Sequence, residues 1–233
     1  MILPVEKSVA LFDLSKQVLL VHGRPKIGKS TLCSQLFPNA LFIATESGLN
    51  FLEVYKTNVT SWGKFLEVCG ELAKSNGRYS PVIIDTIDSL VVYCVEFVCA
   101  REKINHPSDY EYGKGWSMVT KELQRVLSKL CAMGHGLVLV GHTKTEEVKT
   151  KTKAYNRETI SITGENRRIV LALADLILYI DSETEEGGGE KRVIRTKTSL
   201  YFEAGDRSNL LPSVLPLDAK EVLKYFKKEE VKK

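Results

Sequence analysis

A glycine-rich segment near the start of the chain reads Gly23-Arg24-Pro25-Lys26-Ile27-Gly28-Lys29-Ser30 and fits the pattern G-x-x-x-x-G-K-[ST] at every fixed position. An apolar run over residues 18–22 precedes it, and a helical pattern from Lys29 to Phe37 follows it. In this context the pattern predicts a P-loop, whose backbone N–H groups and following helix N-terminus surround phosphate groups. The segment therefore predicts a nucleotide-binding site.

Each residue type in this loop suits contact with a nucleotide. Lys29 can reach the β- and γ-phosphates as a compact cation, Ser30 can bind Mg²⁺ through its hydroxyl, and Thr31 lies on the α-phosphate side. The chain lacks the Asn-Lys-x-Asp signature of guanine recognition, so ATP with Mg²⁺ is the expected ligand. The predicted cofactor-binding residues are Gly23, Arg24, Pro25, Lys26, Ile27, Gly28, Lys29, Ser30 and Thr31.

Outward from the P-loop, short apolar runs alternate with helical patterns. Runs bounded by polar or turn residues predict strands buried on both faces, as in parallel sheets. The predicted strands are 18–22, 40–44, 81–85, 136–141 and 175–180, and the predicted helices between them are 29–37, 61–75, 87–103, 116–133 and 166–173. The order predicts an α/β fold, with a mostly parallel twisted sheet and helices on both faces. A glycine-rich loop before residues 192–198 predicts an antiparallel hairpin near the C-terminus.

Polar residues follow three of the predicted strands, at the sheet edge where the P-loop lies. Asp85 is the candidate Walker B carboxylate that holds Mg²⁺ together with Ser30, although a helix N-cap is the alternative. Glu46 is the candidate that orients or deprotonates water, against the alternative of a surface glutamate. His142 is either a sensor of the γ-phosphate or an ordinary polar residue at a strand end. Together with Lys29, these three form the predicted catalytic set.

The composition favours an ordinary globular protein of the reducing cytoplasm. The 233 residues carry a net charge of +4, which is too small to indicate nucleic acid by itself. The five cysteines are odd in number and form no CxxC pair, so we expect free buried thiols and no zinc site. No secretory signal pattern and no apolar run of about 18 residues is visible. We expect a cytoplasmic protein without membrane association.

A basic stretch follows the strand that ends at His142. Residues 149–157 carry four positive charges, no negative charge and one aromatic residue, Tyr155. Such a stretch, taken as a flexible loop, can follow a phosphate backbone and stack on bases, but a solvated surface loop has the same composition. The candidate DNA contacts are Lys144, Lys149, Lys151, Lys153 and Arg157.

The chain resembles the phage AAA-type nucleotide-binding family that includes the Sak-type single-strand annealing proteins with a RecA-like ATPase core. The matching segments are Gly23–Thr31, residues 44–48, residues 82–86, residues 109–116, residues 138–144 and residues 174–175. The resemblance implies a RecA-like P-loop NTPase domain over residues 1–210, with residues 211–233 as an extension that has a charged helical tail. It also implies ATP hydrolysis, single-stranded DNA binding and a role in phage recombination or replication.

The resemblance further implies a basic residue on a late strand that contacts the γ-phosphate of the same or a neighbouring subunit. The candidates for this phosphate finger are Arg195, Lys197 and Arg207. A single-strand binding protein and further copies of the chain are the protein partners considered. Two alternatives remain open: a helicase-like or loader ATPase, and a small-molecule P-loop kinase, which usually carries an arginine-rich lid.

Overall fold

The computed structural model describes residues 3–5, 7, 12–75, 77–185 and 187–226. Within these ranges the strands are β1 (Val18–Gly23), β2 (Leu41–Ala44), β3 (Tyr55–Asn58), β4 (Val82–Asp85), β5 (Leu137–Lys149), β6 (Ala154–Ile160), β7 (Leu176–Thr184), β8 (Glu190–Arg195), β9 (Gly205–Asp206) and β10 (Val214–Pro216). The α-helices are α1 (Lys29–Leu36), α2 (Trp62–Lys74), α3 (Ile87–Glu102), α4 (Lys114–Ala132), α5 (Gly164–Leu173) and α6 (Ala219–Leu223).

The strands form one sheet in the order β10-β8-β7-β1-β5-β4-β2-β3, with β6 paired to β5 and β9 to β7. The strands from β7 to β3 in this order run parallel, whereas β8, β10, β6 and β9 pair antiparallel with their neighbours. The prediction of a mostly parallel α/β sheet with an antiparallel hairpin is thus confirmed. Because β1, β2, β4 and β5 are parallel, the segments that follow their carboxyl ends meet at one edge of the sheet.

Apolar side chains cover both faces of the sheet, as strands with continuous apolar runs require. On one face, Leu20 and Ile84 pack with the buried residues of α2, α3, α4 and α5. On the other face, Val21 and Ile83 pack with the buried residues of α1 and α6. This alternation places successive strand residues in opposite core layers. The cysteines are free, as expected, and four of the five are buried.

The edge strand β3 was not predicted from the sequence. Its four residues read Tyr-Lys-Thr-Asn and are mostly exposed, so they carry neither an apolar run nor a clear alternation. Backbone pairing with β2 alone makes this segment a strand, from Leu41 opposite Tyr55 to Ala44 opposite Asn58.

The basic stretch after His142 is a hairpin, so its prediction as a loop was wrong. The first residues of β5 lie buried between β1 and β4, and the strand then continues to Lys149 and pairs antiparallel with β6. Thr150 and Lys153 close the tip, since the Thr150 hydroxyl donates to the Lys153 carbonyl at 2.9 Å and accepts from its N–H at 3.0 Å. Threonines and valine along these strands favour the extended conformation.

Residues 211–226 belong to the same sheet and core as the preceding residues. β10 pairs with β8, α6 lies against α1, and Leu215 and Val222 are buried in the core layer that contains α1. The Asp218 side chain caps α6 by accepting a hydrogen bond from the Lys220 N–H at 2.8 Å. The charged tail predicted beyond this helix, residues 227–233, lies outside the described residues.

Candidate nucleotide site

The P-loop connects the carboxyl end of β1 to α1. The backbone geometry explains why glycine occupies both fixed glycine positions of its pattern. A Cβ on Gly23 would lie 2.7 Å from the carbonyl oxygen of Ile180, closer than such atoms approach. Gly28 is the N-cap of α1 and has a φ of +112°, a conformation that favours glycine. Gly28 gives this helix N-terminus no side-chain cap, so the N–H groups of the first turn can face an anion.

Lys29 lies inside the loop that Gly23 begins. Its side chain is buried, and its Nζ donates to the carbonyl oxygens of Gly23 at 3.0 Å and Arg24 at 2.9 Å. Burial lowers the pKa of Lys29, and the negative charge of Asp85 opposes that shift. The ammonium group is therefore held in the loop that would surround phosphates, where an incoming oxyanion would be a stronger partner than a neutral carbonyl.

Ser30 and Asp85, the predicted Mg²⁺ ligands, are in direct contact. The Ser30 hydroxyl donates to Oδ2 of Asp85 at 2.6 Å, and the carboxylate is buried at the end of β4. Burial raises the pKa of Asp85, while the Ser30 hydrogen bond and the charge of Lys29 oppose this change. A hydroxyl and a carboxylate at the mouth of a P-loop are the hard oxygen donors that Mg²⁺ prefers, so the residues present fit the ion.

Glu46 lies two positions beyond β2, at the same edge. Its Oε1 accepts hydrogen bonds from the hydroxyls of Thr86 and Ser89, each at 2.7 Å. Burial by itself would raise the pKa of Glu46, but these two hydrogen bonds, together with the charges of His142 and Lys29, lower the pKa. The carboxylate is thus oriented and kept ionised, as a group that positions or deprotonates water requires.

His142 faces the same cavity and is held by Asp88. The Asp88 carboxylate accepts from Nδ1 of His142 at 2.8 Å and from its backbone N–H at 3.0 Å. This arrangement leaves Nε2 as the ring nitrogen for other partners. Asp88 has the sequence position of a helix cap, but its carboxylate bonds to β5 and not to the N-terminus of α3. Burial raises the pKa of Asp88, and the His142 hydrogen bonds oppose the increase.

These residues line one cavity of about 480 Å³, within the size range of small-molecule sites. The lining residues are Pro25, Lys26, Gly28, Lys29, Ser30, Thr31, Glu46, Ser47, Gly48, Phe51, Leu52, Asp85, Thr86 and His142. The structure therefore brings all four predicted catalytic residues to one cavity. Phe51 was missed by the sequence reasoning, although its ring is fully exposed at the cavity wall. An aromatic residue in an irregular segment gives no periodic signal, so only the closeness of Phe51 to Glu46 in the sequence could have suggested a place in the cavity wall.

The three predicted finger residues form ion pairs away from the cavity. Arg195 contacts Asp181 at 2.7 Å and Glu183 at 2.9 Å, Lys197 contacts Asp206, and Arg207 contacts Asp175. None of the three lines the described cavity, and their contact with the phosphates of the same subunit stays a prediction. Contact with a neighbouring subunit stays a prediction.

A basic side chain that does approach the P-loop is Arg192, on β8. Its Nη1 lies 3.7 Å from the position that a Cβ on Gly28 would take. The sequence reasoning missed Arg192 because the approach depends on the pairing of β8 with β7, which runs beside β1.

The predicted DNA contacts lie along the β5–β6 hairpin in different environments. Lys144 forms an ion pair with Glu146 at 2.6 Å, and Lys149 forms one with Glu147 at 3.1 Å. Lys151 and Lys153 are exposed at the tip, and neither forms an ion pair with another described residue. Arg157 is half-buried on β6. The fully exposed positive charge of the hairpin that has no ion pair among the described residues therefore lies at its tip.

His22 precedes the P-loop and connects β1 to the hairpin strand. Its Nε2 contacts the Glu203 carbonyl at 2.8 Å, and its Nδ1 contacts the Thr143 hydroxyl at 3.1 Å. A carbonyl only accepts, so Nε2 carries the proton and Nδ1 accepts from the threonine. Burial is the main cause that lowers the pKa of His22 from 6.5 to about 4. The neutral ring is thus the form that the folded protein holds.

The free energy of unfolding should therefore depend on pH through His22. The pKa of His22 is lower in the folded state than in the unfolded state. The stability that the neutral His22 ring contributes is therefore fully present above pH 6.5 and is lost as the pH falls towards 4. Between pH 7 and pH 5 the wild type should lose about 2 kcal/mol more than His22→Gln. Urea unfolding of both proteins at the two pH values measures this difference, and equal losses would contradict it.

The P-loop, the Ser30–Asp85 pair and the parallel sheet define a P-loop nucleotide-binding protein with the site of an ATPase. Residues 15–208 match the family model described as an AAA domain, and the chain belongs to this family. Among solved structures, the KaiC-like protein PH0186 from the hyperthermophilic archaeon Pyrococcus horikoshii OT3 is similar over 77% of each chain, with 14% identity and a TM-score of 0.47. No match was found among the curated proteins. No helix in the described part of the chain is long and apolar enough to cross a membrane.

Proposed function

We propose that this protein hydrolyses ATP and couples hydrolysis to single-stranded DNA, in phage-type recombination or replication that includes strand annealing. The observation that carries the proposal is the path of β5. This strand holds His142 at the cavity wall and continues without a break to Lys149 at the base of the exposed basic tip. A change at the phosphate end of the cavity therefore has a direct mechanical connection to the hairpin.

The residues of the cavity divide the work of hydrolysis. Lys29 would bind the β- and γ-phosphates, and Ser30 and Asp85 would hold Mg²⁺. The ion, when bound, neutralises phosphate charge and helps to orient the phosphates. Glu46, fixed by Thr86 and Ser89, would orient the attacking water and accept its proton. His142, fixed by Asp88, presents Nε2 towards the cavity as the group that senses the terminal phosphate.

Phe51 supports a role for the cavity in holding a nucleobase. Its ring is fully exposed to solvent at the cavity wall, where a flat apolar surface has no described protein partner to cover it. A purine stacked on this ring would bury apolar surface that is otherwise hydrated.

Replacing Phe51 with alanine should raise the KM for ATP by roughly 3- to 10-fold and change kcat little, because stacking stabilises bound substrate and transition state alike. Phe51→Tyr keeps the ring and should retain the wild-type KM. Steady-state phosphate release at varied ATP concentration measures both constants. A loss of kcat with unchanged KM in Phe51→Ala would contradict a base-stacking role.

The kinase alternative receives less support from the cavity. No arginine lines it among the described residues, whereas phosphoryl-transfer kinases usually close an arginine-rich lid over the substrate. A helicase-like or loader ATPase shares the same hydrolytic site, so it differs from the proposed annealing role in movement along DNA. A product assay separates the first alternative, since a kinase yields a phosphorylated acceptor and an ATPase yields free phosphate.

Binding of a labelled single-stranded oligonucleotide, measured by fluorescence anisotropy with and without ATP and Mg²⁺, tests the DNA part of the proposal. We expect binding that weakens steeply between 50 and 200 mM salt, because lysine–phosphate contacts release counterions. We also expect ATP to change the DNA affinity in the wild type but not in Lys29→Ala, because the coupling requires an occupied phosphate site. Absence of binding at 50 mM salt would overturn the proposal.

A further inference from the structure

We infer that Tyr155 and Tyr201 form a stacking platform for unpaired nucleobases beside the basic hairpin tip. The inference rests on the proposed single-stranded DNA function and assigns the part of the surface that contacts bases. The two rings come from segments 46 positions apart in the sequence and meet with their centroids 6.0 Å apart at an interplanar angle of 76°. Tyr201 is 61% exposed, so it is accessible to a ligand.

The platform is held in place by backbone hydrogen bonds. The Glu158 N–H of β6 donates to the Tyr201 carbonyl at 2.7 Å, and the Glu203 N–H donates to the Glu158 carbonyl at 3.2 Å. The Ser199 hydroxyl oxygen accepts from the Tyr201 N–H at 3.0 Å. Tyr201 is thus attached to the hairpin next to an isolated β-bridge between Glu158 and Phe202, which holds its ring beside Tyr155. Pre-ordered aromatic side chains lose little conformational entropy when a ligand binds.

Cationic side chains adjoin the aromatic pair on the same side of β6. Because side chains alternate along a strand, Tyr155 and Arg157 share one face of β6, and Lys153 directly precedes this strand. Lys153 lies at the exposed tip with Lys151, and both are without ion pairs among the described residues. Flat aromatic surface beside unpaired cations matches a chain of bases on a phosphate backbone. Single-stranded DNA is favoured over a duplex, because a duplex hides the faces of its bases.

The platform segment is also anchored on the nucleotide side of the protein. Phe202, which follows Tyr201, stacks on Tyr179 with ring centroids 5.4 Å apart, and Tyr179 stacks on His22 at 5.1 Å. His22 directly precedes Gly23, the first residue of the P-loop. A row of aromatic rings thus connects the base of the platform to the strand that carries the phosphate-binding loop. This packing fixes the position of the platform relative to the ATP site.

A comparison of two labelled oligonucleotides tests the inference. One is a deoxythymidine oligomer, and the other has the same length and phosphate backbone but abasic sugars. The wild type should bind the oligomer with bases about 10-fold more tightly than the abasic one, because stacking contributes only where bases are present. Tyr201→Ala should lose this preference by weakening binding of the thymidine oligomer alone, and Tyr201→Phe should keep it. Tyr55→Ala, at an exposed tyrosine on β3, serves as the control and should bind as the wild type does.

The remaining outcomes separate the inference from the function on which it rests. Equal affinity of wild type and Tyr201→Ala for the thymidine oligomer would overturn the platform and leave DNA binding intact. If Tyr201→Ala weakened the binding of both oligomers equally, base stacking by Tyr201 would be overturned as well. Failure of the wild type to bind either oligomer would overturn the platform together with the proposed function. A dimer in sedimentation that Tyr201→Ala abolishes, with no preference between oligomers, would assign the surface to a second copy of the chain.

Discussion

Replacing Lys29 with alanine should lower kcat for ATP hydrolysis by roughly 100- to 1,000-fold, the effect of removing one preorganised charge from a developing oxyanion. The reason is geometric as well as electrostatic. The ammonium group is held inside the loop by the carbonyls of Gly23 and Arg24, so its position is fixed before the phosphates arrive. No nearby described cation in the cavity wall is held in the same way.

The fold should survive this substitution. Burial already lowers the pKa of Lys29, which means that the folded protein gains little from holding this charge in the absence of an anion. The circular dichroism spectrum and the urea midpoint of Lys29→Ala should therefore remain close to those of the wild type. Lys64→Ala, at an exposed ion pair on α2, is a matched control and should hydrolyse ATP normally. Wild-type rates in Lys29→Ala would contradict the assignment of the P-loop.

Glu46→Gln should lower kcat by roughly 100- to 10,000-fold while leaving ATP affinity nearly unchanged. The amide is isosteric with the carboxyl group, and its oxygen can still accept the hydroxyl hydrogen bonds from Thr86 and Ser89. The substitution therefore removes the charge and basicity of the group but keeps its position. The variant should bind ATP and hydrolyse it slowly.

Titration calorimetry with ATP and single-turnover phosphate release distinguish the two parts of this prediction. Glu53→Gln, at an exposed glutamate nearby in the sequence, is the control and should keep the full rate. If Glu46→Gln instead loses ATP affinity and retains its rate when saturated, Glu46 acts in binding and a different group handles the water. His142, held by Asp88 at the same cavity, would then be the next residue to replace.

The sequence allowed prediction of the parts of the site that local patterns determine. The P-loop needs particular residues at adjacent positions, and Asp85 ends an apolar strand, so strand order alone brings its carboxylate to Ser30. The parallel sheet could be predicted from the continuous apolar runs, because strands that are covered on both faces carry apolar side chains on both faces.

The parts that escaped prediction depend on contacts between distant segments. Asp88 has the position of a helix cap, and only the pairing of β4 with β5 brings His142, 54 residues away, to its carboxylate. The hairpin was mistaken for a loop because a sequence rich in lysine and threonine is compatible with exposed strands and with loops. Tyr201 gave no signal, since its meeting with Tyr155 depends on backbone pairing to Glu158.

Phosphate release from ATP and Mg²⁺, with and without a single-stranded oligonucleotide, tests most directly whether the nucleotide cavity and the basic hairpin act together. The wild type should release phosphate faster when the oligonucleotide is present, and Lys29→Ala should show neither the basal nor the stimulated rate. Release that is lost in Lys29→Ala but identical with and without DNA would contradict the coupling, and would leave an ATPase whose activating partner is a protein or a small molecule.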